Sequence, residues 1–426
     1  MTSAVYRLGI GVYAAAVRAI GAVSAKARAR SEGARRALDR LAETPAGRDC
    51  YWMHCASVGE YEQGRPVWEA LRATRPGARF VLSFFSPSGY EHFADREGHG
   101  EVVYLPWDRG GAPAEFVRRL SPGPEARLRL AIFVKYEWWF GYYRALEAAA
   151  VPTVLISASV RPGHLLLRPT APPAWSPYRR ALLSLDRVFA QDEASARVLR
   201  INGGFERVDV VGDTRVDRTL SVTALPLDEP RLRAWARRRA LVLVAGSTWR
   251  PDEELLARAL ARRPSWSALV APHEVDPASL AAARERFAGA GVCFASRLDD
   301  SFDGRVVVVD SIGLLSRLYR LGQAAYVGGG FGAGIHNVLE PSAYGLAVAF
   351  GPRHTRFPEA TRLMEARVGR EIARVDDLVA LVDELAGEAA RGRVLAQAEA
   401  YFRAHAGATE AIVTYLRGRG YLDGEV

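Results

Sequence analysis

Short apolar runs recur along this chain, each closed by a turn of small residues and followed by a helical pattern. Residues 51–55 (YWMHC) lead into ASVGE and a helix from about Tyr61 to Ala73. Residues 80–84 (FVLSF) lead into FSPSGYE, and further runs lie at 102–105, 130–134, 153–157, 187–190 and 209–211. Strand, turn and helix in such a series are the pattern of a doubly wound parallel sheet, so the fold class is α/β. A second series starts at Leu241–Ala245 and continues through 268–271, 306–309 and 325–327. Between the two, residues 219–238 bring prolines, acids and an arginine run. The expected organisation is a helical segment over 1–45, a first α/β domain over 46–220, a linker over 221–239 and a second α/β domain over 240–395. Helices over 396–426 complete it, the last of them free to return to the first domain. A length of 426 residues accommodates two domains of ordinary size.

Open α/β sheets place their ligands at the carboxyl ends of the strands. The richest such end is the stretch Ala325–Pro352, AYVGGGFGAGIHNVLEPSAYGLAVAFGP, which reads as strand, glycine turn, short helix and a further strand. Gly328–Gly330, Gly332 and Gly334 remove side chains where the backbone turns tightly or approaches a ligand. His336 and Asn337 follow, and a helix is expected near Val338 with Glu340 in its first turn. Bare amides beside a helix N-terminus suit a phosphate. A glutamate one turn in can accept both hydroxyls of a ribose. The glycine spacing is not that of a dinucleotide fingerprint, and no GxxxxGK[ST] occurs.

Other strand ends carry further candidates. Ser57, Gly59 and Glu60 follow the first strand, and Glu60 lies at a helix N-terminus, where the helix dipole favours an acid. A general base there needs burial to offset the dipole. Ser86 follows the second strand. Lys135 and Glu137 stand with two tryptophans in KYEWW, and Arg161 closes ASVRPG. Lys26 and Lys135 are the only lysines in a chain whose other cations are arginines, which points to a compact ammonium wanted at 135. In the second half Ser247 and Thr248 offer hydroxyls and amides, with Asp252 and Glu253 in the helix turn that follows.

The net charge of +9 suggests an acidic partner, among them nucleic acid, anionic lipid or a phosphorylated substrate. Cys50, Cys55 and Cys293 have no zinc or CxxC spacing, and no DxD triplet or His/Asp cluster predicts a metal. Val5–Val23 is apolar but contains Arg7 and Arg18, which argues against a spanning helix. Six basic residues against two acidic ones follow from Lys26 to Arg40. An apolar helix ahead of a basic one resembles a segment lying in an anionic interface, with a cleaved signal peptide as its rival.

HCASVGEYEQGRPVWEAL resembles the N-terminal signature of the 3-deoxy-D-manno-octulosonic acid (Kdo) transferases. FFSPSGYE, KYEWW, SASVRPG, VVGDTRVD, AGSTW and GGGFGAGIHNVLEP match later motifs of that family in the same order, from about Tyr51 to Glu359. The resemblance implies a GT-B glycosyltransferase, with two Rossmann-like domains facing across a cleft and an N-terminal membrane-associated helix. It implies transfer of Kdo from CMP-Kdo to a lipid A precursor (lipid IVA) in lipopolysaccharide biosynthesis, with inversion. No metal and no cofactor are expected. The expected place is the cytoplasmic face of the inner membrane, on an anionic membrane surface, with no nucleic-acid partner. Carried over by motif, the catalytic base falls on Glu60. The donor site falls on Ser247, Thr248, His273, Ile312, Gly313, Gly332, Gly334, His336, Asn337 and Glu340. The CMP phosphate is expected near Ser247, Thr248 and the 332–337 amides, the ribose at Glu340 and the cytosine by Ile312 and Gly313. Ser57, Gly59, Ser86, Lys135, Glu137 and Arg161 are left for the acceptor or sugar pocket.

Three places depart from the family pattern. Pro272-His273-Glu274 stands where many members have Pro-Arg-His. Lys135 replaces an acidic residue, and Trp139-Phe140 replaces Trp-Pro. Gly334-Ile335-His336-Asn337 replaces Gly-Gly-His-Asn. Rival readings are a GT-B enzyme that uses a UDP-sugar, a sugar-nucleotide epimerase that needs no acceptor, and a non-catalytic protein that binds a membrane surface.

Overall fold

The computed structural model describes residues 2–135, 138–160, 180 and 182–423. Glu137 and Arg161 lie outside the described residues. The chain divides into two compact units, residues 1–218 with 406–426, and residues 219–405.

The first unit is built on seven strands: β1 (Cys50–Cys55), β2 (Arg79–Phe84), β3 (Glu101–Tyr104), β4 (Leu128–Val134), β5 (Thr153–Ala158), β6 (Arg187–Ala190) and β7 (Val208–Val210). Their order is β3-β2-β1-β4-β5-β6-β7, and every pairing is parallel. β1 is buried along its whole length. Trp52 packs with Phe116, Phe133 and Tyr142 on one face, and Tyr51 and Met53 pack with Phe80, Leu82 and Ile132 on the other. Burial on both faces explains why the strand reads as an unbroken apolar run.

The second unit repeats the plan with β8 (Leu241–Thr248), β9 (Trp266–Pro272), β10 (Val292–Phe294), β11 (Val306–Val308), β12 (Ala324–Val327), β13 (Ala347–Phe350) and β14 (Gly369–Glu371). The order is β10-β11-β9-β8-β12-β13-β14, again all parallel. The sequence pattern finds twelve of the fourteen strands and misses β10 and β14. Both are three-residue edge strands without a fully buried apolar run. Residues 221–239 hold the end of helix Thr214–Thr223 and helix Pro230–Arg237. The latter buries Trp235, whose Nε1 donates to Gly304 O at 3.1 Å, within the second unit.

Helix Glu388–His405 belongs to the second unit and helix Ala408–Gly418 to the first. Asp217 pins the start of the latter by accepting from the amides of Gly407 (2.7 Å) and Thr409 (2.6 Å). Carboxylate oxygens on bare helix amides satisfy donors that have no partner inside the helix.

Helices Thr2–Ile20 and Ala25–Arg40 pack on the first unit. The first turns Tyr6 and Ala14 inward. The Tyr6 hydroxyl donates to the buried Asp108, whose carboxylate also accepts from Gly141 N at 2.9 Å. Burial pushes the Asp108 carboxyl up to about 6. The Arg30 guanidinium lies over Phe85 (4.1 Å) and Trp107 (4.3 Å), and burial lowers its pKa to about 10. Leu8, Val12, Ile20 and Val23 face outward. Among the described residues no helix is long and apolar enough to cross a membrane.

Candidate active site

In each sheet one central strand marks where the chain stops adding strands to one side and starts on the other. That crevice lies between the ends of β1 and β4 in the first unit and of β8 and β12 in the second. Open α/β sheets bind their ligands at such points.

In the second unit, the turn after β8 and the glycine loop after β12 meet there. Gly328 N donates to Gly246 O at 2.9 Å, and a Cβ on Gly328 would stand 2.3 Å from Ser247 O, so only glycine allows the approach. Ser247 itself sits at φ +52°, at a shift in register between β8 and β9. A non-glycine residue held there stores backbone strain of about 1–3 kcal/mol, a common feature of functional loops. Asp252 ties the two segments together. It is buried and accepts from Trp249 N (2.9 Å), Tyr326 Oη (2.7 Å) and Gly329 N (2.9 Å). The sequence shows only its capping role, because the other two partners lie 74 and 77 residues away.

Three aromatic rings complete this site. Trp249 Nε1 donates to His336 Nε2 at 3.2 Å. The His273 ring stacks against both, with centroids 4.5 Å away and planes 26° apart in each case. Burial, and secondarily His273, lowers the His336 pKa, while Asp252 opposes the shift. Asn337 accepts from Leu339 N and donates to Glu340 Oε1, both at 3.0 Å, so it orients the glutamate. Ile312 is largely exposed at 82%, and Gly313 turns the chain at φ +91°.

Two expectations need correction. The amides of Gly332, Gly334 and His336 donate to Gly329 O, Gly329 O and Gly328 O, so they close the loop on itself rather than waiting for a phosphate. Thr248 is buried and gives its hydroxyl to Glu253 Oε1 at 3.1 Å. Glu253 also pairs with Arg286. Burial raises its carboxyl pKa, and Arg286 and the Thr248 hydroxyl oppose that rise. Three of the amides over 332–337 therefore serve the loop itself, and side chains mounted on it share the ligand-directed role.

In the first unit, Ser57 and Glu60 lie at the start of helix Val58–Thr74. Glu60 N donates to Ser57 Oγ at 3.4 Å, and Glu60 Oε2 accepts from Ala56 N. This is close to the reciprocal arrangement that closes a helix start. Glu60 is buried, 4% exposed, so the carboxylate expected to face a ligand also seals its own helix. The Ala56 carbonyl accepts from Ser86 N at 2.8 Å, which joins the Ser57 and Ser86 turns. Gly59 is exposed, with open space where a Cβ would be. Lys135 follows β4 at φ +74°, its amide donating to Ile156 O at 2.9 Å. Ser157 in β5 repeats the φ of Ser247, +52°, and again lies at a shift in register. Its buried hydroxyl bonds Thr214 Oγ1 at 2.8 Å.

Trp249 and Asp252 are the functional residues that sequence reasoning undervalues. The AGSTW motif flags the tryptophan, but nothing local shows its partner 87 residues on.

Comparison with known proteins bears on both units. Residues 26–218 match the family model of 3-deoxy-D-manno-octulosonic-acid transferase (kdotransferase). A 3-deoxy-D-manno-octulosonic acid transferase of Aquifex aeolicus is 23% identical over 341 residues, 78% of this chain and 85% of that protein. The protein of the same name from Haemophilus influenzae is 25% identical and covers 74% of this chain and 73% of its own. Among solved structures, the UDP-GlcNAc 2-epimerase of Neisseria meningitidis bound to UDP-GlcNAc superposes with a TM-score of 0.60. It is 12% identical and covers 87% of this chain and all (100%) of that one. The glycosyltransferase of kitacinnamycin gives a TM-score of 0.50 at 15% identity, over 88% of this chain and 99% of that one. The fold is GT-B, shared by glycosyltransferases and epimerases.

Proposed function

We propose, since the chain belongs to the 3-deoxy-D-manno-octulosonic acid (Kdo) transferase family, that it moves Kdo from CMP-Kdo to a hydroxyl of a lipid A precursor, lipid IVA, with inversion. The observation that carries this reading is the convergence of the Ser247–Trp249 turn, His273, His336, Asn337 and Glu340 at the switch point of the second sheet. These groups suit a sugar nucleotide with one phosphate. Glu340, oriented by Asn337, would take the ribose hydroxyls. Ile312 would cover one face of the cytosine, with Gly313 leaving room beside it. His336 and Ser247 would meet the phosphate.

Glu60 is the general base. Its carboxylate takes the proton of the acceptor hydroxyl as that oxygen bonds to the anomeric carbon of Kdo. The bond from that carbon to the phosphate oxygen breaks, and its electron pair leaves with CMP. Ser57 and Lys135 border the switch point of the first sheet, Ser86 stands at the next strand end, and together they form the acceptor or sugar pocket. Lys135 supplies a cation suited to a carboxylate or a phosphate.

The acceptor is a lipid, so the outward apolar side chains of the first helix and of the turn after it gain a purpose. Leu8, Val12, Ile20 and Val23 are exposed beside a second helix that exposes Lys26, Arg28, Arg35, Arg36 and Arg40. Apolar and cationic surface together bind anionic membranes. On this reading the protein works on the cytoplasmic face of the inner membrane.

The test is to incubate the protein with CMP-Kdo and a tetraacylated lipid A precursor and to weigh the lipid products. Lipid heavier by one or more Kdo residues is expected. Turnover of a UDP-sugar instead, or conversion of a sugar nucleotide without acceptor, would overturn the reading in favour of the other chemistries this fold supports.

A further inference from the structure

We infer that Trp249 is a positioning residue that decides which ring nitrogen of His336 carries the proton. An indole N–H can donate a hydrogen bond but cannot accept one. The nitrogen it meets at 3.2 Å, His336 Nε2, must therefore present a lone pair. A neutral imidazole has one ring proton, so in His336 that proton sits on Nδ1. The contact is specific to this tautomer: protonating Nε2 would set two N–H groups against each other.

The surroundings hold the same state. His273 lies against the faces of both rings, so adding a proton to His336 would place a cation beside a second titratable ring. Asp252 acts on His336 in the opposite sense, and its two oxygens already accept from Trp249 N, Tyr326 Oη and Gly329 N. Burial adds to the cost of a charged ring and lowers the pKa. His336 is thus kept neutral, with a single donor of fixed position at the mouth of the glycine loop.

Resting on the donor assignment above, this gives Trp249 a part in the reaction without touching the reacting atoms. A donor fixed at Nδ1 can bond an anionic oxygen of the sugar nucleotide without first turning over or shedding a proton. A ring free to choose would spend part of its time with the proton on Nε2. Fixing a histidine tautomer through the far nitrogen is the device that orients metal-binding histidines. Here an indole takes the place of the usual carboxylate or carbonyl and selects the opposite state, because it donates where those accept.

The experiment uses the full chain with 15N-labelled histidine, in the absence of sugar nucleotide. The His336 signals are identified by their loss in His336→Gln. In the wild type the Nδ1 signal should be that of a protonated nitrogen and the Nε2 signal that of a bare one. Trp249→Phe keeps an aromatic ring beside His273 and removes the N–H together with the five-membered ring that carries it; Trp249 is 39% exposed, so the fold should tolerate the change. In that variant the Nε2–H form should appear, the pH at which His336 protonates should rise, and CMP-Kdo should bind about 2–5-fold more weakly, in proportion to the fraction of rings that carry the other tautomer. A wild-type His336 protonated at Nε2, or a spectrum unchanged by Trp249→Phe, overturns the inference. The spectrum needs no ligand, so failure of the wild type to bind CMP-Kdo would contradict the donor assignment and leave the tautomer result standing on its own.

Discussion

The two switch points are built on the same sheet plan but by different means. In the second unit a backbone frame comes first: glycines pack against the β8 turn, Asp252 binds three donors from two segments, and side chains are mounted on that frame. In the first unit the principal carboxylate serves as its own frame, since Glu60 accepts from Ala56 N and lies buried at the start of its helix. A preformed frame suits a ligand of fixed geometry such as a nucleotide. A site made of individual side chains suits proton transfer to a less regular acceptor. Substitutions in the frame of the second unit should therefore damage folding, and substitutions at the first switch point should damage chemistry.

The sharpest break in the comparison is Asp252→Ala. It strands two amides and a buried hydroxyl at once, and should cost about 3–4 kcal/mol. Chemical denaturation would report it as a lower midpoint for the second unit, with donor binding lost in parallel. Gly328→Ala pushes a methyl group into Ser247 O, 2.3 Å from where the new Cβ would lie. It should cost about 2–3 kcal/mol and weaken CMP-Kdo binding by calorimetry.

The first unit has a pH signature that sharpens the contrast. Burial raises the Asp108 carboxyl to about 6 from an ordinary 3.8, so the folded state holds this proton more tightly than the unfolded chain. Its contribution to stability is greatest below the unfolded value and declines as pH rises from about 4 to about 6. The decline is about 3 kcal/mol. Wild type and Asp108→Asn, unfolded side by side across that range, should diverge by about this amount, the wild type losing ground as pH rises.

A paired change isolates strain. Ser157 and Ser247 share a φ of +52°. Ser247→Gly should relieve about 1 kcal/mol of strain while weakening donor affinity. Ser157→Gly relieves the same strain but removes a buried bond to Thr214, so its net effect on thermal unfolding should be near zero. The smallest effect on folding belongs to the exposed face of the first helix. Leu8→Ser with Val12→Ser should shift stability by less than about 0.5 kcal/mol. The pair should nevertheless reduce sedimentation with vesicles rich in anionic lipid.

Much of this molecule is legible in the sequence, for physical reasons. Buried parallel strands are apolar throughout, so β1, β4 and β8 stand out, and a ligand site at strand ends follows from the turns that close them. β10 and β14 do not stand out, because three-residue edge strands are buried too little to leave a pattern. Glu60 is visible as an acid at a helix start, yet its bond to Ala56 is a matter of rotamer, which spacing does not encode. The rings of Trp249, His273 and His336 come from three separate loops, and only the folded sheet brings them into contact. Glycines at 332 and 334 looked like room for a phosphate because bare amides are common to anion sites and to tight loops. Here the loop claims them.

The central claim is that Glu60 is the base for a transfer whose donor is held elsewhere in the chain. The most direct measurement is the turnover and CMP-Kdo affinity of Glu60→Gln, with circular dichroism to confirm the helix. Removing a general base should slow turnover by about 10²–10⁴-fold, while donor affinity stays within about a factor of two and stability falls by about 1 kcal/mol through the weakened cap. Turnover near that of the wild type would contradict the account and reduce Glu60 to a residue that closes a helix.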